Sequence, residues 1–182
     1  MTIAAQKKEE NIVEYLLYVW QMQDLLRAAD FELAAVRAFL SNDPAADLDL
    51  EAELEWFANL AKAMKNAGTE KSGHTPETQE ILIELNYLHG TLIDLLKDEK
   101  YSEAFKKAQP SLDEFLKRSG NQHMNPIEAG MTALYGLLVL RLQGKEVSQE
   151  TMGAMKHFQQ YLALLAVRYK QMKKGELNQQ LN

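Results

Sequence analysis

Cysteine is absent from this chain of 182 residues. Its absence excludes disulfides, thiolate nucleophiles, iron–sulfur clusters and cysteine-ligated zinc, and it gives no sign of an oxidising compartment. Basic residues are not in excess over acidic ones, because the net charge is −6 and the pI is about 5.3. Binding to nucleic acid or to an anionic membrane surface depends on basic patches. We therefore expect neither as a partner.

Long apolar runs are missing as well. The stretch from Met131 to Leu140 contains no charge and no amide, but it is too short to cross a bilayer. The first ten residues contain no apolar segment of the kind found in signal peptides. These features predict a cytoplasmic protein.

No stretch alternates apolar and polar residues in the manner of a strand, and β-branched residues are scarce. Apolar residues recur instead at helical spacing. We predict an all-α antiparallel bundle of about six or seven helices. The predicted single domain covers residues 1–175 and is followed by a frayed tail over 176–182. The predicted helices span about 5–29, 31–40, 49–68, 75–96, 102–117 and 126–143, with a last one after Ser148.

Several local signals fix helix ends in this prediction. Asp30 is a possible N-cap of the second helix, and Pro110 is expected to kink or split the fifth. Asn125 followed by Pro126 marks the start of the sixth helix, which is apolar almost all round and is therefore predicted to be central. Glycines inside helices each cost about 1 kcal/mol relative to alanine. Gly130 and Gly136 in this helix therefore suggest close approach by a neighbouring helix.

Motifs of catalysis and metal binding are absent. The chain has no Gly-rich phosphate loop, no Gly-x-Ser-x-Gly elbow and no His-Glu-x-x-His. None of its four histidines follows a glutamate by three residues, as the Glu-x-x-His motif of di-iron bundles requires. We expect no metal, no cofactor and no catalytic residue, and we lean against an enzyme.

Trp20, Asp24 and Arg27 are candidate binding residues on the first helix. Their spacings of four and three residues place them on one side of it. A local ion pair beside a core tryptophan explains the group. A recognition patch is the alternative, because tryptophan and arginine favour interface hot spots.

Two histidines are also candidates. His89 lies in the middle of a helix between leucines, where a neutral, hydrogen-bonded core histidine is the favoured interpretation over a ligand or base. His74 follows Gly73 in a polar loop. A solvated loop histidine is favoured there over a functional one.

The first and last helices carry apolar residues on more than one face, among them Leu17, Trp20, Tyr161 and Leu164. A second copy of the chain could cover the additional face, so we predict a homodimer. Burial inside the monomer is the competing explanation.

Two functions remain open at this stage. The favoured one is a non-enzymatic helical interaction module that binds itself or a protein partner. The alternative is a ligand-binding or enzymatic bundle in which His74, His89, Tyr135 and Arg141 line one internal polar pocket.

Three segments carry a resemblance to a known family. They are ENIVEYLLYVWQMQDLLR over 10–27, ALYGLLVLRLQGK over 133–145 and LALLAVRYK over 162–170, and the dipeptide Gly73-His74 also fits. Together they resemble an uncharacterised family of all-helical proteins, a domain of unknown function associated with Bacteroidetes. The resemblance implies a helical bundle in the bacterial cytoplasm and implies no activity.

Overall fold

The computed structural model describes residues 1–41, 49–121 and 123–177. Helices hold 80% of the described residues, and no strand occurs among them, which confirms the all-α prediction. The helices within this part are α1 (Ile3–Glu10), α2 (Ile12–Ala28), α3 (Leu33–Ser41), α4 (Leu50–Asn66), α5 (Pro76–Gly90), α6 (Glu99–Ser119), α7 (Pro126–Leu142) and α8 (Gln149–Lys173). A π-helical turn, Thr91–Leu95, directly continues α5.

The chain divides into two compact units, Met1–Glu80 and Ile81–Asn182. Helix α5 begins in the first unit and ends in the second. The single domain predicted over 1–175 stays a prediction. Of the tail predicted over 176–182, residues 178–182 lie outside the described part.

In the first unit, the prediction of one long helix over 5–29 is wrong. The helix is interrupted at Asn11, whose backbone is extended, and α2 starts at the next residue. The Asn11 side chain accepts hydrogen bonds from the backbone N–H groups of Val13 and Glu14. An asparagine in this role satisfies donors that a new helix leaves unpaired, so it stabilises a helix start at Ile12.

The junction after α2 also differs from its prediction. Asp30 and Phe31 have positive φ angles of 47° and 62°, so Asp30 does not cap a helix that begins at the next residue. Both lie in the left-handed region that closes helices, which is uncommon for residues other than glycine. Helix α3 therefore starts later, at Leu33. It packs on α4, which in turn contacts α2.

In the second unit, α6 packs on α7 and α8, and α7 packs on α8. Pro110 was expected to kink or split this segment, and the split does not occur, because α6 runs through it from Glu99 to Ser119. Pro110 is exposed, so water can satisfy the carbonyl that loses its hydrogen bond. Packing against two helices supplies the stabilisation that the proline removes.

Helix α7 starts at Pro126, as predicted. The Asn125 side chain accepts hydrogen bonds from the N–H groups of Ile127 and Glu128. Its first three turns are mostly buried, from Ile127 to Leu137, whereas the last turn is half-buried to exposed. The helix is thus a core element of this unit over its N-terminal part.

Close approach to α7 occurs at Gly130. A Cβ atom added there would lie 1.9 Å from the hydroxyl oxygen of Tyr161, which donates a hydrogen bond to the carbonyl of Pro126 at 2.7 Å. Gly136 has no such neighbour, since nothing lies within 4 Å of its added Cβ. Of the two glycines, only Gly130 is explained by a close approach.

A buried ion pair links α6 and α8. Asp98 is only 2% exposed, caps α6 by accepting from the N–H of Tyr101, and accepts from Arg168 Nε at 2.6 Å. Burial by itself raises the pKa of Asp98, but the hydrogen bonds from Arg168 and the backbone outweigh it and lower that pKa overall.

The residues on which the dimer prediction rested are covered within the chain. Trp20 and Tyr161 are buried, and Leu17 and Leu164 are half-buried. Burial within the monomer therefore accounts for Trp20 and Tyr161, whereas Leu17 and Leu164 keep part of their surface exposed, and the homodimer stays a prediction.

Candidate functional site

Four side chains on one face of α2 hold the loop that precedes α5. Trp20, Gln23, Asp24 and Arg27 follow each other at spacings of three, one and three residues, so they line up over two helical turns. We call these four residues and the loop 69–75 the loop anchor. All of it belongs to the first unit.

Arg27 is the charged part of the loop anchor. Its guanidinium pairs with Asp24 at 2.7 Å, as the spacing predicted, and it also donates to the carbonyl oxygens of Thr69 and Gly73. Gly73 has a φ of 86°, a conformation that favours glycine. The guanidinium thereby replaces the hydrogen bonds that these loop carbonyls would otherwise make with water.

His74 lies against Trp20 and not in solvent. The two rings stack with centroids 4.2 Å apart and an angle of 13° between planes. His74 Nδ1 is 2.9 Å from Gln23 Oε1, while Gln23 Nε2 donates to Thr75 Oγ1, so Nδ1 is the donor. The prediction of a solvated loop histidine is wrong, since the loop folds back on α2.

Burial lowers the pKa of His74, and the positive charge of Arg27 lowers it further, while Asp24 acts in the opposite direction. A neutral imidazole fits its position flat on the indole of Trp20. The loop anchor thus combines a neutral ring stack with one ion pair.

Sequence analysis missed the buried polar residues beneath the stack. Gln23, Thr75 and Thr78 are buried, and the Thr78 hydroxyl donates to the carbonyl of Thr75 at 2.8 Å. The signal was present, because Gln23 falls within the apolar stripe of α2 that includes Leu16, Val19 and Leu26. A polar residue on a core-facing stripe indicates a buried hydrogen-bond network.

A cleft of about 520 Å³ opens in the first unit, between α2, α4 and the start of α5. Its size is within the range of small-molecule sites. None of the seven candidate residues named from the sequence lines it. The lining consists of Tyr15, Val19, Trp56, Asn59, Leu60, Ala63, Asn66, Ala67, Thr75, Pro76 and Glu77.

Glu77 lies at the mouth of this cleft and joins two neighbours. Its Oε1 accepts from the Tyr15 hydroxyl at 3.1 Å and from Lys8 Nζ at 2.6 Å. Burial, and then the charge of Glu77, raise the pKa of Tyr15, so the phenol keeps its proton and remains a donor. Nothing in the sequence pattern joined these three residues, which come from α1, α2 and α5.

In the second unit, His89 belongs to an aromatic cluster. Its Nδ1 is 2.8 Å from the hydroxyl of Tyr101, and its ring meets Phe105 edge to face. Burial lowers the pKa of His89, and Asp94 opposes the effect. The surroundings are those expected of a neutral core histidine.

The other two candidates are less enclosed. Arg141 lies exposed in the last turn of α7, where its guanidinium is 3.6 Å from the sulfur of Met152. Tyr135 is half-buried on the same helix. The loop anchor brings together four of the candidates, Trp20, Asp24, Arg27 and His74. The other three, His89, Tyr135 and Arg141, belong to the second unit.

Among the described residues, no group of three or more histidine, aspartate or glutamate side chains is arranged to hold a metal ion. No described helix combines the length and apolar character needed to cross a membrane.

Comparison with known proteins identifies a family for this chain. No curated protein and no solved structure matches the chain. A family profile described as "Domain of unknown function (DUF4924)" covers residues 1–176, nearly the whole chain. The chain, with its loop anchor and its cleft, therefore belongs to this uncharacterised family.

Proposed function

We propose that this protein is a non-enzymatic helical interaction module that binds a second copy of itself through α5. The observation that carries the proposal is a pair of exposed apolar side chains. Ile83 and Tyr87 are 69% and 79% exposed, and they lie one helical turn apart on α5. Isolated exposed apolar residues are ordinary, but adjacent large ones on a helix suit an interface.

Two-fold symmetry suits this pair. When two α5 helices cross antiparallel with the axis level with Leu85, Ile83 of one copy lies opposite Tyr87 of the other. The same register places Glu80 opposite Gly90. Glu80 of one copy therefore faces an uncharged residue of the other, which matters in a chain with a net charge of −6.

The π-helical turn that follows α5 supports a functional role for this region. Such turns are rare in proteins as a whole, but those that occur are often found at functional sites. Leu95, the last residue of the turn, is 75% exposed and extends the apolar surface of the same segment. Tyrosine is also among the residues enriched at interface hot spots.

Light scattering at micromolar concentration tests the proposal. We expect a mass near twice 20.7 kDa for the native protein, falling to the monomer in Tyr87→Glu. Val167→Glu is the matched control, because Val167 is exposed on α8 and should leave the dimer intact. A native mass near 20.7 kDa that does not change on concentrating contradicts the proposal, as does equal loss of the dimer in both variants.

The proposal includes a bacterial cytoplasmic location, in keeping with the acidic, cysteine-free sequence. Fractionation of cells expressing the chain tests it, and recovery from the periplasmic or membrane fraction contradicts it.

The alternative function, ligand binding, is favoured by one observation, the cleft of the first unit.

A further inference from the structure

We infer that the cleft between α2, α4 and the start of α5 binds a small organic ammonium ion with an apolar or aromatic body. The site lies within the first unit, whereas Ile83 and Tyr87, which carry the proposed dimer, lie in the second. It involves none of the candidate residues that the sequence suggested. The lining of the cleft, its charge and an ammonium group that already lies at its mouth all favour such a ligand.

The inner wall of the cleft suits an apolar or aromatic body. Tyr15, Val19 and Leu60 are buried there, and Trp56 and Ala63 are half-buried. Two aromatic rings and three aliphatic side chains thus offer the apolar contact that dominates small-molecule sites.

The mouth of the cleft is polar and carries a single sign of charge. Asn59 and Asn66 are exposed and supply amide groups, and Glu77 is the only charged residue among the described residues of the lining. No lysine, arginine or histidine lines the described cleft. A carboxylate without a basic neighbour in the lining favours a cation and disfavours an anion.

An ammonium group already occupies the Glu77 corner. Lys8 Nζ is 2.6 Å from Glu77 Oε1 and 5.2 Å from the centroid of the Tyr15 ring. The carboxylate and the aromatic face therefore bind a cation together, by charge and by the quadrupole of the ring. Lys8 itself does not line the cleft, and about half of its side chain is exposed. Because exposed ion pairs of this kind are weak, a ligand ammonium can displace it.

Other ligand classes fit this geometry less well. A metal ion needs several oxygen or nitrogen ligands, and Glu77 is the only carboxylate among the described residues of the lining. A phosphate or carboxylate ligand would find no cation in this lining, and Lys8, the ammonium at the mouth, is already paired with Glu77. An organic cation uses both the carboxylate and the aromatic wall.

The first experiment compares three probes of similar shape. The full-length protein labelled with ¹⁵N is titrated with 2-phenylethylammonium, with 2-phenylethanol and with 3-phenylpropionate. We expect the ammonium to bind most tightly and to shift the indole N–H signal of Trp56. The indole of Trp20, which is outside the cleft lining, serves as the internal reference. Equal affinity for the alcohol and the ammonium, or a shift at Trp20 alone, would overturn the inference.

The second experiment changes the charges at the mouth. Glu77→Gln keeps an acceptor for Tyr15 but loses the charge, so the ammonium probe should bind about fivefold more weakly. Glu80→Gln, one turn further along α5 and outside the lining, should bind it like the native protein.

The variant Lys8→Met distinguishes a ligand site at Glu77 from a Glu77 carboxylate that has only a structural role. Removal of the resident ammonium should tighten binding of the probe by about threefold, since the ligand no longer competes with it. Lys7→Met is the control, because Lys7 pairs with Glu14 and lies over Tyr18, outside the cleft. Unchanged or weaker binding in Lys8→Met overturns the inference.

Discussion

Gly130 and Gly136 lie on the same helix and have the same sequence context of small and apolar neighbours, yet only one of them is constrained. At Gly130 the hydroxyl of Tyr161 occupies the space that a Cβ atom would need, and it is fixed there by its hydrogen bond to Pro126. Tyr161 is buried, so it cannot move into solvent. The space available to a single methyl group is therefore set by a residue on another helix.

Gly130→Ala should consequently destabilise the protein by about 1 to 3 kcal/mol through overpacking. Gly136→Ala should instead be neutral or raise the free energy of unfolding by up to about 1 kcal/mol, because alanine favours a helix and the site is open. Urea denaturation measures both. Equal effects of the two substitutions would mean that Tyr161 does not limit the space at Gly130.

The loop anchor likewise contains one contact that the sequence indicates and one that it does not. The ion pair between Asp24 and Arg27 follows from their spacing, and the sequence predicted it correctly. The stacking of His74 on Trp20 joins positions far apart in the chain, and no local pattern indicates it. The recognition patch considered for Trp20, Asp24 and Arg27 stays a prediction, although three of Arg27's contacts already hold the loop.

At the scale of elements, helix ends depend on short-range chemistry that periodicity does not reveal. Asn11 and Asn125 make the same cap, each accepting from the second and third N–H groups that follow. The proline after Asn125 made that start visible in the sequence. At Asn11 no proline follows and good helix formers lie on both sides, so a single helix was predicted in error.

Asn11→Ala should lower the free energy of unfolding by about 1 kcal/mol, because the N–H groups of Val13 and Glu14 lose their acceptor. Asn125→Ala is the matched reference and should cost a similar amount. Circular dichroism measures the helical signal, and urea denaturation measures the free energy of unfolding. A gain in helical signal without loss of stability in Asn11→Ala would show that α1 and α2 fuse readily and that the break is not set by the cap.

At the scale of the whole molecule, stability should depend on pH in two separate windows. His74 and His89 have pKa values lowered by burial, so the unfolded chain takes up protons more readily than the folded one. The stability they contribute is present above their ordinary pKa of 6.5 and falls as the pH drops below it. Asp98 acts in the same direction but at lower pH, below its ordinary pKa of 3.8, where its pair with Arg168 is lost on protonation.

Urea denaturation at a series of pH values checks the expectation. The double variant His74→Gln, His89→Gln should flatten the dependence just below pH 6.5 and leave the acidic window unchanged. Asp98→Asn should do the reverse. Persistence of the upper window in the double variant would show that other groups produce it.

Composition and periodicity by themselves determined that this protein is all-α and where most of its helices lie. Apolar spacing and cap residues act over a few positions, so α4, α7 and α8 begin at or next to the predicted residues. Membership of an uncharacterised domain-of-unknown-function family was also predicted from the sequence, and the family profile over residues 1–176 confirms it.

The tertiary structure decided which apolar faces are covered and which are left exposed. It buried Trp20 and Tyr161, on which the first dimer argument depended, and left Ile83 and Tyr87 in solvent. It also joined Lys8, Tyr15 and Glu77 at the mouth of a cleft. The physical reason is that burial, stacking and charge pairing depend on neighbours that are distant in the sequence, and a local pattern holds no information about them.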